Sequence, residues 1–184
     1  MAAEPALHPP LAGAGRRPGW RFLLAHPAHL IALGFGSGLS PWAPGTMGTL
    51  WAWLVYDLAA PMLGEGARGA VICGAALVGW WACTATARHL DQGDPSAIVW
   101  DEVLAIWIVL WLVTPAGWLA QCIAFALFRF FDAAKPGPIA WADGLFKLDR
   151  RGQPIGAAQG FGILFDDLLA ALCALLVVAL WRWI

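Results

Sequence analysis

Long apolar runs separated by short polar segments make up most of the chain. Five of these runs cover residues 46–63, 70–87, 98–114, 118–134 and 162–181, and a shorter one covers residues 22–33. They are too long and too rich in Ala, Leu and Trp for strands, so the pattern predicts an all-α fold, a bundle of about five to six apolar helices. A membrane-spanning helix needs about 20 apolar residues. These runs are close to that length, so we expect the bundle to be membrane-embedded or membrane-associated.

The first residues have a different composition. Residues 1–21 are rich in Ala, Pro and Gly and carry Arg16, Arg17 and Arg21. No long apolar stretch with a small-residue cleavage site follows directly, so we interpret this part as a flexible basic N-terminal tail rather than an export signal. Residues 22–184 are predicted to form a single helical domain.

Composition narrows the class of protein. Of the 184 residues, 60% are hydrophobic and 12% are charged, and the formal net charge is -1. This favours a membrane protein and argues against nucleic-acid binding, which needs a basic surplus. The four cysteines lie in apolar segments without paired spacing and are interpreted as core residues rather than zinc ligands or disulfides. The four histidines show no metal-binding spacing and are expected at solvent-exposed or interfacial positions.

Five of the twelve acidic residues lie inside or at the edge of three apolar runs, 98–114, 118–134 and 162–181. They are Asp101, Glu102, Asp132, Asp166 and Asp167. Each carboxylate placed there loses hydration, and neighbouring carboxylates repel one another, so the arrangement is costly. It is most simply explained by one shared site. Because hard cations bind convergent carboxylate oxygens, we expect a Mg²⁺-type centre.

Connectivity predicts where this site lies. If successive helices alternate in direction, all five acidic residues come to one end of the bundle, where most of the basic residues also gather. By the positive-inside bias this end faces the cytoplasm. Arg129, Asp132 and Lys135 follow one another at intervals of three and therefore share a helix face.

Several of these features also have a purely structural interpretation. Acidic residues in the first turn of a helix complement its dipole, and Arg129 and Lys135 can serve as ion-pair partners of Asp132 instead of binding an anionic substrate. The segment GFGSGLSPWAPGTMGTL, residues 34–50, predicts either a phosphate cradle of backbone N–H groups or an ordinary turn capped by Thr46. The loops 88–97 and 135–160 contain four further acidic residues, interpreted as solvated: Asp91, Asp94, Asp143 and Asp149.

Four segments, in order, closely resemble the signature blocks of the phosphatidylglycerophosphatase A family. They are GFGSGLSPWAPGTMGTL, IVWDEVLAIWI, FRFFDAAKPGPI and GFGILFDDLLAAL, and together they cover about a third of the chain. The resemblance implies a Mg²⁺-dependent, membrane-associated helical phosphatase. Such an enzyme removes the terminal phosphate of phosphatidylglycerophosphate to give phosphatidylglycerol. The matching positions make the five acidic residues its site residues, with Lys135 and the Gly45–Thr46 loop on the phosphate.

On this basis we assign expected roles. The metal ligands are Asp101, Glu102, Asp166 and Asp167, and the residues expected to act in catalysis are Asp101, Asp132 and Asp167. Asp132 is either a further ligand or the base that orients water. The substrate-binding residues are Ser37, Gly45, Thr46, Arg129 and Lys135. The expected cofactor is Mg²⁺, the expected partners are phosphatidylglycerophosphate and the membrane lipids, and the expected location is the bacterial inner membrane with the site facing the cytoplasm.

Other classes of protein remain alternatives. A small cation or proton transporter would use intramembrane acids as its pathway, with charge distributed across the bilayer depth. A structural membrane subunit would have no use for clustered acids. A lipid phosphotransferase is disfavoured because its DxxDG pattern is missing, and the missing DxDxT pattern gives no support for a phospho-aspartyl intermediate.

Overall fold

The computed structural model describes residues 17–147 and 154–183, and in these residues every regular element is helical. The predicted all-α class is confirmed, with eight α-helices in the described chain instead of five or six. They are α1 (Trp20–Ala25), α2 (Pro27–Ala32), α3 (Pro44–Ala59), α4 (Glu65–Leu90), α5 (Trp100–Val113), α6 (Trp118–Ala134), α7 (Pro138–Lys147) and α8 (Ala157–Trp183). Short 3₁₀ segments, Gly34–Leu39 and Ala60–Met62, precede and follow α3.

The N-terminal apolar run forms two short helices instead of one. The helical conformation is interrupted at His26, which is extended and lies between α1 and α2. Its side chain accepts a hydrogen bond from the Ala28 backbone N–H, and Pro27 starts α2. Proline suits this first helical position, since its missing N–H would have no partner there. Helix α1 begins at Trp20, inside the predicted tail. Residues 1–16 of that tail, including Arg16, lie outside the described residues.

Helix α5 is the centre of the fold. It packs against α3, α4, α6 and α8, and its residues from Val103 to Ile106 are all buried, as are Val109 and Leu110. A helix that is apolar and buried on all sides belongs in a core. Ala105 is buried on α5, and Ala170, Ala171 and Ala174 are buried on α8, against which α5 packs. Small residues there let the two helices that carry most of the acidic residues approach closely.

Helix α7 was not predicted from the sequence, which suggested a loop over residues 135–160. Pro138 opens this helix, and Ile139 and Ala142, one turn apart, are buried where it packs on α8. Its short length between Gly, Pro and polar residues hid the helical period. The helix matters because it carries Asp143 to the acidic end of the bundle.

The outer surface of the bundle is strongly apolar. Helices α4 and α8 are long and apolar enough to span a bilayer, and only 39% of each apolar window is buried inside the fold. Large exposed apolar side chains continue on α3 and α6, among them Leu54, Leu58, Leu119 and Ile123. An apolar exterior on several helices is typical of a membrane protein.

Candidate active site

A cavity of about 370 Å³ opens at the end of the bundle where α5 starts, α6 ends and the first turns of α8 lie. All five acidic residues from the apolar runs line it, together with Arg129, Lys135 and Gly45. The remaining lining residues are Ala43, Pro44, Asp94, Pro95, Ser96, Ile98 and Ala133. The structure thus brings together residues that are up to about 120 positions apart in the sequence, from Ala43 to Asp167.

Three of the carboxylates meet closely enough to share one ion. Asp101, Glu102 and Asp167 each place one oxygen within 4.8 Å of the others. Glu102 Oε2 and Asp167 Oδ2 are buried and have no hydrogen-bond partner among the described residues. Buried unpaired carboxylate oxygens are costly, and a divalent cation with oxygen ligands would satisfy them. This donor set therefore fits Mg²⁺.

The electrostatics of the cavity lead to the same conclusion. Six carboxylates line it against two cations. Burial, followed by the neighbouring Glu102 charge, raises the pKa of Asp101 well above its usual range, and burial also raises the pKa of Glu102. An anionic substrate would be repelled from such a cavity unless a further positive charge were present.

Arg129 lies against the carboxylates from α6. Its guanidinium is paired with Asp132, one turn along the same helix, and its Nη1 lies 3.7 Å from Glu102 Oε1. Thr49 Oγ1, 3.5 Å from the same Nη1, anchors it from α3. This network holds the arginine and Asp132 side by side at the cavity wall.

Lys135 bridges two other acids. Its Nζ donates to Asp143 Oδ1 and to Asp166 Oδ2, each at 2.5 Å. Burial would lower the pKa of this lysine, but the two carboxylates outweigh burial and raise the pKa above its usual value. Lys135 is therefore a permanent cation in the cavity wall. Asp166, predicted as a metal ligand, is oriented toward this lysine and lies outside the group of three carboxylates.

The start of α3 forms another part of the wall. Ala43 occupies the cap position without a side-chain cap, so the predicted capping role of Thr46 is wrong: this threonine is the third residue of the helix. The first backbone N–H groups of a helix have no partner within it, and here they belong to Gly45 and Thr46. A Cβ on Gly45 would lie 2.1 Å from Glu102 Oε1. Only glycine lets this backbone approach the acidic group so closely.

Two predicted substrate-binding residues lie elsewhere in the structure. Ser37 donates its hydroxyl hydrogen to the Gly34 carbonyl and does not line the cavity. Thr46 does not line it either, although its helix start does. The Gly34–Leu39 part of the glycine-rich segment is a tight turn, with positive φ at Gly34, Phe35 and Gly36. The phosphate-cradle interpretation is therefore supported only at the start of α3, where the backbone N–H groups of Gly45 and Thr46 have no partner within the helix.

Some residues near the site were missed in the sequence. Asp143 was interpreted as solvated, yet it pairs with Lys135, and Asp94 lines the cavity. The sequence signal for Asp143 is the apolar pair Ile139 and Ala142, three positions apart, which is the spacing of a helix face packed on a neighbour. Thr49 gave no signal, because an isolated threonine in a helix is common. Asp149 lies outside the described residues.

The expectation for the histidines is wrong for one of them. His29 is buried and its ring stacks on Phe22. Its Nδ1–H donates a hydrogen bond to the Phe22 carbonyl oxygen at 2.7 Å, and its Nε2 is hydrogen-bonded to His89 Nδ1 at 2.7 Å. A buried polar ring needs such partners. These histidines lie apart from the acidic cavity, whose lining contains none.

Comparisons with known proteins find relatives over most of the chain. The family model described as "Phosphatidylglycerophosphatase A" matches residues 30–182. A Haemophilus influenzae protein named phosphatidylglycerophosphatase A is 39% identical over 155 residues, 84% of this chain and 88% of that protein. An Escherichia coli protein of the same name is 36% identical over 161 residues, 82% of this chain and 80% of that protein.

A third relative carries a different name. A Bacteroides thetaiotaomicron protein, named as a candidate phosphatidylinositol-3-phosphatase, is 35% identical over 162 residues, 84% of this chain and 93% of that protein. No solved structure matches the chain. All three relatives are thus named for removing phosphate from a phospholipid.

Proposed function

The chain belongs to the phosphatidylglycerophosphatase A family, and from this premise we propose that it hydrolyses the terminal phosphate monoester of phosphatidylglycerophosphate to phosphatidylglycerol and phosphate. The observation that carries the proposal is the meeting of Asp101, Glu102 and Asp167 in a cavity that also holds two cations and a helix start. These are the parts needed to bind a metal ion and a phosphate together.

Mg²⁺ is the proposed cofactor. Asp101, Glu102 and Asp167 would hold it, since their carboxylate oxygens converge. Two buried oxygens, Glu102 Oε2 and Asp167 Oδ2, also lack a hydrogen-bond partner among the described residues. When bound, the ion would neutralise phosphate charge and lower the pKa of an attacking water. Asp166 accepts a 2.5 Å hydrogen bond from Lys135 Nζ. We therefore propose that Asp166 positions the Lys135 ammonium beside the metal ligands and does not bind the metal ion directly.

The other residues bind and orient the substrate. Lys135 and Arg129 would attract the phosphate oxygens, and the N–H groups of Gly45 and Thr46 would donate hydrogen bonds to them, as donors preorganised toward developing charge do in other enzymes. Asp132, held beside the cavity by Arg129, would accept a proton from the water that attacks phosphorus. The bond from phosphorus to the glycerol oxygen would then break, and that oxygen would take a proton from solvent water to give the alcohol of phosphatidylglycerol, while Asp132 returns its proton to solvent.

The proposed setting is the bacterial inner membrane, with the site at the cytoplasmic surface and the lipid substrate reached from the bilayer. The apolar exterior and the two helices of spanning length support a membrane setting. The placement of the cavity at one end of the bundle suits an enzyme that meets its substrate's headgroup at the interface. A transporter is not favoured, because five acidic residues gather around this one cavity instead of being spread across the bilayer depth: Asp101, Glu102, Asp132, Asp166 and Asp167.

Phosphate release from phosphatidylglycerophosphate by the purified full-length protein tests the proposal. We expect release with Mg²⁺ and none after EDTA, with activity restored by added Mg²⁺. Phosphatidylinositol 3-phosphate serves as a comparison substrate and is expected to be a poorer one. No release from phosphatidylglycerophosphate with Mg²⁺ present would contradict the proposed function.

Asp167→Asn tests the carboxylate group itself. The change keeps the shape of a side chain that is 3% exposed but removes a metal-binding charge, so we expect a loss of activity of at least about a thousandfold, in the range that removal of an essential electrostatic group produces. Asp57→Asn, on α3 and outside the cavity lining, is the matched control and should retain activity. A folded Asp167→Asn protein with ordinary turnover would remove this residue from the mechanism.

A further inference from the structure

A second cavity of about 380 Å³ adjoins the candidate active site. Pro44, Pro95 and Ser96 line both cavities, so the two share a wall. The remaining residues of the second cavity are Arg17, Pro18, Gly38, Leu39, Ser40, Leu90, Gln92 and Ala97. The two cavities therefore lie side by side at the same end of the bundle.

The second cavity has the opposite charge to the first. Among the described residues that line it, Arg17 is the only charged one, accompanied by the polar side chains of Ser40, Gln92 and Ser96. Arg17 Nη1 donates to the Pro41 carbonyl at 2.8 Å, which holds the guanidinium at the rim. The ion pairs found among the described residues do not use this arginine. Such a site suits an anion with hydroxyl groups nearby.

The wall of this cavity is firmly built. A Cβ on Gly38 would lie 2.1 Å from the Ala97 carbonyl oxygen, so the turn that contains Gly38 packs directly on the segment before α5. The Val99 N–H donates to the Ala32 carbonyl at 2.9 Å and fixes the same segment from the other side. The cavity therefore has a defined position relative to Asp101 and Glu102, which follow this segment directly.

Two exposed tryptophans lie close in sequence to residues of the second cavity. Trp42, 83% exposed, follows the Pro41 whose carbonyl binds Arg17, and Trp20, 66% exposed, begins the helix after Arg17. Tryptophan favours the level of the lipid headgroups. The phosphodiester of a phospholipid lies at this same level.

From these observations we infer that the second cavity is a binding subsite for a lipid phosphodiester, with Arg17 as its anion-binding residue. The inference rests on the proposed function for the identity of the lipid. In phosphatidylglycerophosphate one glycerol separates the terminal monoester, which is cleaved, from the diester that carries the diacylglycerol. The monoester would occupy the acidic cavity with its metal, and the diester would reach the Arg17 side. Arg17 precedes the segment matched by the family model, residues 30–182.

Binding of glycerophosphoglycerol, a soluble phosphodiester without a monoester, tests the subsite directly. Calorimetry on the purified full-length protein in detergent should show binding to the wild type and about tenfold weaker binding to Arg17→Ala, the size expected for one charge-assisted hydrogen bond. Arg21→Ala is the matched control, because Arg21 is also an exposed arginine but does not line the cavity. Equal binding by wild type and Arg17→Ala, or no binding by the wild type, would overturn the inference.

Inhibition and turnover separate the subsite from the rest of the site. Arg17→Ala should raise KM for phosphatidylglycerophosphate about tenfold with kcat nearly unchanged, whereas inhibition by inorganic phosphate should stay as in the wild type. If both phosphate inhibition and glycerophosphoglycerol binding changed together, Arg17 would be a general attractor of anions and the subsite assignment would be wrong. If glycerophosphoglycerol bound through Arg17 but phosphatidylglycerophosphate released no phosphate, the proposed function would fail while the diester subsite stood.

Discussion

At the scale of single residues, the close approach of Gly45 to Glu102 is the contact that most directly ties backbone conformation to the proposed chemistry. The α3 backbone can lie beside the carboxylate only because no Cβ is present, and Arg129 Nη2 lies 3.2 Å from the position a Cβ would take. One missing methyl group thus sets the distance between the proposed phosphate donors and the proposed metal ligands.

Gly45→Ala should therefore displace the Glu102 carboxylate without unfolding the protein, since the end of a flexible side chain can move aside. We expect kcat/KM for phosphate release to fall by about a hundredfold, as for a misplacement of about 1 Å in an active site. Gly66→Ala, where a Cβ would meet open space, is the control and should leave activity unchanged. Unchanged activity in Gly45→Ala would show that this approach is unimportant.

His29 gives the fold a predicted pH dependence away from the site. Burial lowers its pKa from the usual 6.5, and the nearby His89 and His26 act in the same direction, against the raising effect of the Phe22 carbonyl. The unfolded chain therefore binds a proton as the pH falls through about 6.5, whereas the folded chain resists it. The free energy of unfolding should be highest above this pH and decrease below it.

Urea unfolding of the wild type and of His29→Asn at several pH values measures this effect. Asparagine keeps a hydrogen-bond donor for the Phe22 carbonyl but does not titrate, so its unfolding free energy should depend less on pH below about 6.5. The same pH dependence in both proteins would exclude His29 as its source.

The acidic residues could be identified from the sequence because their cost is local: a carboxylate in an apolar run is unusual whatever the fold. The environments of His29 and Asp143 could not, because they depend on partners from distant parts of the chain. His29 meets His89 sixty positions later, and Asp143 needs α7 to bring it to Lys135. Charge and hydropathy along the sequence carry no record of such pairs.

At the scale of elements, α4 and α8 pack closely because Gly160 has no side chain at their contact. A Cβ on Gly160 would lie 1.8 Å from Thr84 Oγ1 and 2.9 Å from the Thr84 Cα. Because one of these atoms is backbone, a side chain at residue 160 would force the helices apart. This contact lies near the start of the helix that carries Asp166 and Asp167, so the spacing of α4 and α8 also positions the site.

Gly160→Ala should destabilise the protein by about 1–3 kcal/mol, the range measured for overpacked cores. Gly74→Ala on α4 is the matched control: a Cβ there meets nothing within 4 Å, so the better helix propensity of alanine should leave stability unchanged or raise it by up to about 1 kcal/mol. Thermal unfolding in detergent compares the two. A Gly160→Ala protein as stable as Gly74→Ala would show that the helices have room to separate at little cost.

The long apolar runs of the sequence correctly predicted the long helices, but the ends of these helices were predicted less well. Helices α4 and α8 extend beyond the predicted 70–87 and 162–181, to Glu65–Leu90 and Ala157–Trp183. Their polar terminal turns interrupt the apolar pattern but continue the backbone hydrogen bonds. Helix α7 was missed for the same reason, since a ten-residue helix shows fewer than three turns of period.

At the scale of the whole molecule, the apolar exterior has no partner within the described chain. Exposed Leu and Trp side chains on α8, such as Leu172, Leu180 and Trp183, face outward beside those of α3 and α6. The predicted membrane setting rested on composition, and the structure adds where the apolar surface lies. The lengths of the apolar runs did not predict which helices are long enough to cross the bilayer. The five long runs are similar in length, but only α4 and α8 of the described helices are long and apolar enough for a span.

We expect the protein to stay with the membrane fraction after washing with alkaline carbonate, which releases peripheral proteins but not those whose apolar surface is buried in lipid. Immunoblotting of pellet and supernatant measures the distribution, with a known peripheral protein in the same cells as the control. Release of most of the protein into the supernatant would contradict an embedded bundle and favour a bundle resting on the bilayer.

Lys135 bears on how this protein can change during evolution. Lys135 caps the C-terminal end of α6 with a φ of 40°. Glycine adopts this left-handed conformation at little cost, whereas lysine is strained in it. Selection for folding alone would therefore favour glycine or asparagine at this position, while selection for an anion-binding cation between Asp143 and Asp166 would keep lysine. Under relaxed selection, as in a duplicated copy that has lost its substrate, residue 135 should be among the first positions of the site to drift.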